Sequence, residues 1–293
     1  MKFSLIINKS ANFYFFIQNL SEWHFSNRKD YNVLWRKELG RFSPQEEDAL
    51  KQLKEIHLKY PFGKLYLGHQ FFIEKSPWAV LEQKLPQEDF INLKNIFSLL
   101  EKKFTLLWDK ESPFLMQWRK ELNDKINNPP FIESTVGLLK AIFNTLPSER
   151  EIMVYLLFSS PEHTGGGANI GGKNISLEIS RYPIQDINKA IGIIWHETIH
   201  LCFQNQNFFP FVLKQLSNDR QKADLINEIT IGSLFPRGIL GIRLLKNKPP
   251  QKLIEGVNSE QTIKILNLVK EYIDNKKSLD ERYIRILIEI LGI

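Results

Sequence analysis

Cysteine is almost absent from the chain. Cys202 stands alone among 293 residues, so no disulfide can close within it, and a disulfide-stapled scaffold is excluded. Long apolar runs are missing too: no window reaches the roughly 18 uninterrupted apolar residues that a membrane span requires. The N-terminal stretch MKFSLIINKSANFYFFIQNL has two apolar bursts, but Asn8 to Asn12 separate them and no small-residue cleavage site follows. It reads as a strand leading into a helix rather than a secretory signal. A dense basic patch is also lacking, because 39 Lys and Arg are interleaved with 33 Asp and Glu along the chain. A net charge of +6 spread in this way does not make a nucleic-acid footprint. There is no internal repeat and no low-complexity tract. What remains is an ordinary globular composition, 43% hydrophobic and 25% charged, and the expectation is a soluble, cytoplasmic protein.

The punctuation predicts an α+β fold, mainly helical, with a small β-sheet. Ser43, Pro44 and Glu46 form a capping-box pattern, which starts a helix over about Pro44 to Leu58. Two further helices are expected after Pro86 and after Pro113. NNPP (Asn127 to Pro130) is the clearest breaker. It suggests a helical N-terminal region of unknown role over 1–128 and a second domain over 129–293. In the second part Glu133 to Leu146 has helical spacing, Glu151 to Ser160 reads as a buried strand, and Lys173 to Ser180 alternates with period two. A helix capped by Asp186 is expected to run to about Phe203. Others follow near Phe211 to Leu216, Arg220 to Leu234, Ser259 to Lys276 and Leu279 to Leu291.

Chemistry concentrates in IGIIWHETIHLCF, residues 191 to 203. Residues four apart on an α-helix project from one face about 6 Å apart, so His196 and His200 can close on one metal ion. Zinc suits an imidazole pair. Glu197 is turned by about 100° from His196, beside the metal rather than on it, where it can take a proton from water. With six histidines in the chain, chance would produce the pattern HExxH on the order of 0.01 times at this length. The apolar flanks strengthen it further, because burying two histidines and a glutamate costs stability unless they bind something.

HETIH resembles the zinc-binding helix of zincin metallopeptidases. The metzincin extension would need glycine at 203 and histidine at 206, and Phe203 and Gln206 stand there. In the gluzincin branch, which is distantly thermolysin-like here, the third ligand is a glutamate on a later helix, commonly in an Asn-Glu pair. DLINEITIGSLF offers Asn227 and Glu228, and no histidine follows His200. The resemblance therefore implies a His196, His200 and Glu228 zinc site, with Asp224 and Glu255 as rivals for the third place. It departs from the thermolysin-like pattern at Gly232, where an aspartate would support a ligand histidine. Asp224 or a backbone carbonyl would have to replace that support.

The resemblance further implies a peptide or protein substrate added as a strand to a sheet edge upstream of the zinc helix. Ile175 to Ser180 is the expected edge, and GGGANIGG before it reads as a loop bordering the cleft. No Gly-Lys-Ser/Thr follows those glycines, so they are not a phosphate loop. Hydrolysis also needs a donor to the developing oxyanion. Tyr283 is the first candidate, with Tyr272, His163 and Tyr182 beside it. The expected function is a zinc metallopeptidase. The rivals are a zinc amidase acting on a non-peptide substrate and a binding protein that keeps the zinc without turnover.

Overall fold

The computed structural model describes residues 1–24, 27–60, 67–73, 76–159, 165–169, 173–179 and 187–293, without the side chains of residues 69, 73, 169 and 205. The first half of the chain runs β1 (Lys2–Ile6), α1 (Lys9–Ser21), α2 (Lys29–Leu39), α3 (Pro44–Lys59), α4 (Leu67–Ile73), α5 (Pro77–Lys84), α6 (Gln87–Ile126) and α7 (Pro129–Phe143). Then come β2 (Glu151–Phe158), β3 (Gly165–Asn169), β4 (Asn174–Ile179), α8 (Ile187–Ile199), a π-helix (His200–Phe208) and α9 (Phe209–Gln215). The chain closes with α10 (Arg220–Gly232), α11 (Ile239–Leu245), α12 (Ser259–Asp274) and α13 (Glu281–Leu291). The fold is α+β and mainly helical around one small mixed sheet. Among the described residues no helix is long and apolar enough to cross a membrane.

The sheet has the order β1-β2-β4-β3. β1 pairs parallel with β2 and β2 with β4, whereas β3 pairs antiparallel to β4 with Gly166 opposite Leu177. Since β1 comes from the N-terminal region, the sheet spans both sides of the NNPP breaker. Asn127 fixes that junction: its side chain accepts from the Phe3 amide and donates to the Phe3 carbonyl, both at 2.9 Å. Asn128 then caps α7 by accepting from the Phe131 amide at 3.2 Å. Helix α7 therefore begins at Pro129, four residues earlier than the spacing alone predicted.

Three further expectations are corrected. Pro113 does not separate two helices but lies inside the 40-residue α6. It is exposed, so the carbonyl it leaves without a partner faces water, and a long apolar stripe facing the core carries the helix through. The residues GGGAN do not form a loop; they are the edge strand β3, and Ile175 to Ile179 lies inside the sheet next to it. The helix that carries HETIH does not stop at Phe203 but continues as a π-helix into α9. Pro210 stands at the start of α9, where the N–H it lacks is not needed within that helix. The backbone widens before it, with the Phe209 amide bonding five residues back to Gln204. The Cys202 carbonyl in this stretch accepts from the Ser148 amide and from Gln206 Nε2, each at 3.1 Å.

Helix α8 packs across β3 and β4. Its anchor is Trp195, fully buried, with the ring edge-on to Phe3 at 5.2 Å and stacked toward Phe235 at 6.2 Å. Truncating such a side chain to alanine costs about 3–5 kcal/mol. Because Trp195 and His196 are consecutive, this anchor sets the direction in which His196 leaves the helix.

Candidate metal centre

His196, His200 and Glu228 come together as the spacing and the resemblance implied. His196 is at the end of α8, His200 opens the π-helix, and Glu228 comes from α10, which Asp219 starts by capping the Lys222 amide at 3.1 Å. The two Nε2 atoms are 3.2 Å apart, and Glu228 approaches His200 Nε2 at 3.3 Å and His196 Nε2 at 3.8 Å. One donor atom from each residue falls within 4.8 Å of the others. A tetrahedral ion held at 2.0–2.1 Å spaces its donors about 3.3 Å apart. The observed separations fit that spacing with small adjustments of Glu228, whose side chain is 48% exposed.

Both histidine tautomers are fixed from behind. His196 Nδ1 donates to the Phe235 carbonyl at 3.0 Å, and His200 Nδ1 donates to Gln204 Oε1 at 2.9 Å. With both protons on Nδ1, both Nε2 lone pairs face the carboxylate. Three electron-rich atoms at this separation repel unless they share a cation or a proton, so the donor set fits a metal. The protonation tendencies follow from this. Burial works against a charge on His196, but the neighbouring carboxylates of Glu228 and Glu197 outweigh it and raise its pKa. Burial and the neighbouring His196 charge lower His200 to about 4, so it stays neutral. Burial alone would raise Glu228, but the two histidines hold it below the usual carboxylate range.

Close approaches make this geometry possible. A Cβ on Gly192 would lie 2.7 Å from Pro236 Cβ, so only glycine lets α8 come near enough to the 235–236 segment for the Phe235 carbonyl to reach His196. A Cβ on Gly166 would meet Ile193 Cγ2 at 2.6 Å and Glu197 Cγ at 3.6 Å. The bare strand β3 therefore rests directly on α8. Glu197 lies beneath it, accepts a hydrogen bond from the Ala168 amide, and has its pKa raised chiefly by burial.

The supporting groups are not those the sequence suggested, apart from the backbone carbonyl. Asp224 instead pairs with Arg220 on its own helix at 3.1 Å. Gln204 was missed, although it repeats the four-residue spacing after His200; Asn227, named only as half of the Asn-Glu pair, donates its amide to the same Gln204 oxygen. Asn227 thus braces the metal centre from behind while its neighbour Glu228 faces it. Tyr283 is not brought to the centre: it is fully buried and its hydroxyl donates to Thr230 at 3.1 Å, with burial pushing its pKa up to about 12. Tyr272 donates to Asp280 at 2.7 Å, and Glu255 does not join the cluster of His196, His200 and Glu228. His163, Tyr182 and Asp186 lie outside the described residues.

The arrangement can hold a divalent ion on two neutral imidazoles and a carboxylate, with a second, buried carboxylate beside it under a sheet edge. No family model matches the chain, and no curated protein or solved structure matches it either.

Proposed function

We propose that the protein is a zinc-dependent hydrolase, a metallopeptidase of zincin-like, gluzincin-type design. The observation that carries this reading is the convergence of His196, His200 and Glu228 at tetrahedral donor spacing beside Glu197, which is held by an edge-strand amide. When bound, zinc supplies Lewis acidity toward the scissile carbonyl and acidifies the attacking water.

The chain's own residues account for the rest. Glu197 takes the proton from the attacking water and gives it to the leaving amine, and burial raises its pKa above the ordinary carboxylate value. Strand β3 is an edge strand with glycine at three of its five positions. It can add an extended peptide through main-chain hydrogen bonds while its own side chains select little. The half-exposed Glu228 leaves the centre open to such a chain.

The test is metal content together with turnover. The purified protein is expected to hold about one zinc per chain and to cleave an unstructured protein substrate. Chelation and Glu197→Gln should each abolish cleavage, the latter by about 10²–10⁴-fold with the zinc retained. Protein without zinc that cannot be reloaded would overturn the metal assignment. A second reading, a zinc-holding binding protein, is favoured by one observation: the two tyrosines foreseen downstream as oxyanion donors are both turned into the core. Full zinc occupancy without cleavage of any peptide would decide for it.

A further inference from the structure

A cavity of about 490 Å³ lies where the start of α8 meets the 236–237 turn and the end of α11. Among the described residues lining it are four cations, Lys189, Arg237, Lys246 and Lys248, and no acid. The three other cavities described on the surface each include a carboxylate, Glu47, Asp280 or Asp124. None of the four cations is within ion-pair distance of a carboxylate among the described residues.

Three main-chain acceptors of this corner are already taken, and Lys246 Nζ donates to the Arg243 carbonyl at 3.3 Å. Asn188 Nδ2 donates to the Leu245 carbonyl at 2.7 Å, which silences the negative end of α11. Asn247 Nδ2 donates to the Pro236 carbonyl at 2.7 Å and the Asn188 carbonyl at 3.2 Å. The cavity is thereby left with cationic side chains over the first residues of α8, Ile187 to Lys189. Its floor is cross-linked by the same two asparagines, so the cations project from a fixed frame.

We propose that this cavity binds a small soluble polyanion carrying at least two phosphate groups. Four clustered cations exceed what a single phosphate neutralises, and Arg237 can grip phosphate oxygens through two parallel hydrogen bonds. The cavity is concave and local, which suits a compact ligand better than the extended backbone of a nucleic acid. This site is separate from the metal centre and does not depend on the hydrolase reading.

The test uses the full-length protein titrated with inorganic pyrophosphate by calorimetry at fixed ionic strength. Saturable one-to-one binding is expected, weakened about tenfold or more in Arg237→Ala/Lys246→Ala. The charge-matched control Lys102→Ala/Lys120→Ala, both on the exposed face of α6, should bind as wild type. Any removal of metal by pyrophosphate is common to both doubles, so their difference reads the cavity. Equal weakening in the two doubles, or heats that merely follow ionic strength, would overturn the proposal. Retention on phosphatidylserine vesicles without a response to pyrophosphate would also overturn it, by pointing to a membrane surface.

Discussion

Gln204 offers the sharpest test of the metal centre, because its contribution follows from one oxygen. Gln204 Oε1 accepts both from His200 Nδ1 and from Asn227 Nδ2. Gln204→Leu keeps most of the volume and removes that acceptor. The His200 ring is then free to carry its proton on Nε2, where it blocks the lone pair a metal needs. Loss of such an orienting partner weakens metal binding by about 10–100-fold, or roughly 1.4–2.8 kcal/mol. Two buried donors also lose their partner, at about 1–3 kcal/mol each, so the metal-free variant should be less stable as well.

The two effects separate in a thermal-shift experiment. At free zinc 100-fold above the wild-type Kd, binding stabilises the wild type by about 2.7 kcal/mol. A variant with tenfold weaker affinity gains about 1.4 kcal/mol at the same zinc, and one with 100-fold weaker affinity about 0.4 kcal/mol. For a chain of this size, at roughly 2 °C per kcal/mol, the zinc-induced rise in Tm should shrink from about 5 °C to 1–3 °C. Gln204→Glu, which keeps an acceptor at the same place, should retain most of the rise. If Gln204→Leu gains as much from zinc as the wild type does, Gln204 does not orient His200 and the account of the second histidine is wrong.

Other substitutions probe different parts of the structure. Glu228→Ala should reduce zinc affinity by more than about 100-fold, beyond what an orienting residue contributes, whereas Asp224→Ala should leave it unchanged in a chelator competition assay. Gly166→Ala forces a methyl group against Ile193 at 2.6 Å and the Ser176 carbonyl at 3.1 Å. A loss of about 1–3 kcal/mol should appear in urea unfolding, with lower activity as β3 lifts from Glu197. Burial lowers His57 from the ordinary 6.5 to about 3, with a smaller contribution from His24. The unfolded chain therefore takes up a proton below pH 6.5 that the native state refuses until about pH 3, so stability falls as pH drops through that window. The loss is on the order of 5 kcal/mol. His57→Gln, which can still accept from the Tyr14 hydroxyl, should flatten the acid limb of urea stability curves, and an unchanged slope would remove His57 as its source.

What could be read from the sequence follows from how far each interaction reaches along the chain. His196 and His200 share a helix face by geometry alone, and the Ser43 capping box is complete within four residues, with its bonds at 2.6 and 3.2 Å. Glu228 needed a resemblance, because nothing local says which acid of α10 turns inward; the structure shows Asp224 satisfied by Arg220 one turn earlier. The glycine run was misread because glycine normally marks a loop. Here glycine is present because a side chain at 166 would collide with α8, a reason that exists only after the helix and sheet have met. Gln204 escaped for a related reason. The π-helix that carries it has no signature in the local spacing, and its partner Asn227 is 23 residues away. The two histidines of the candidate centre are thus encoded by spacing and Glu228 only by the resemblance, whereas the groups that aim them are encoded by tertiary fit. A substitution at Gln204 or Gly166 should therefore damage the centre although neither residue belongs to the HExxH pattern.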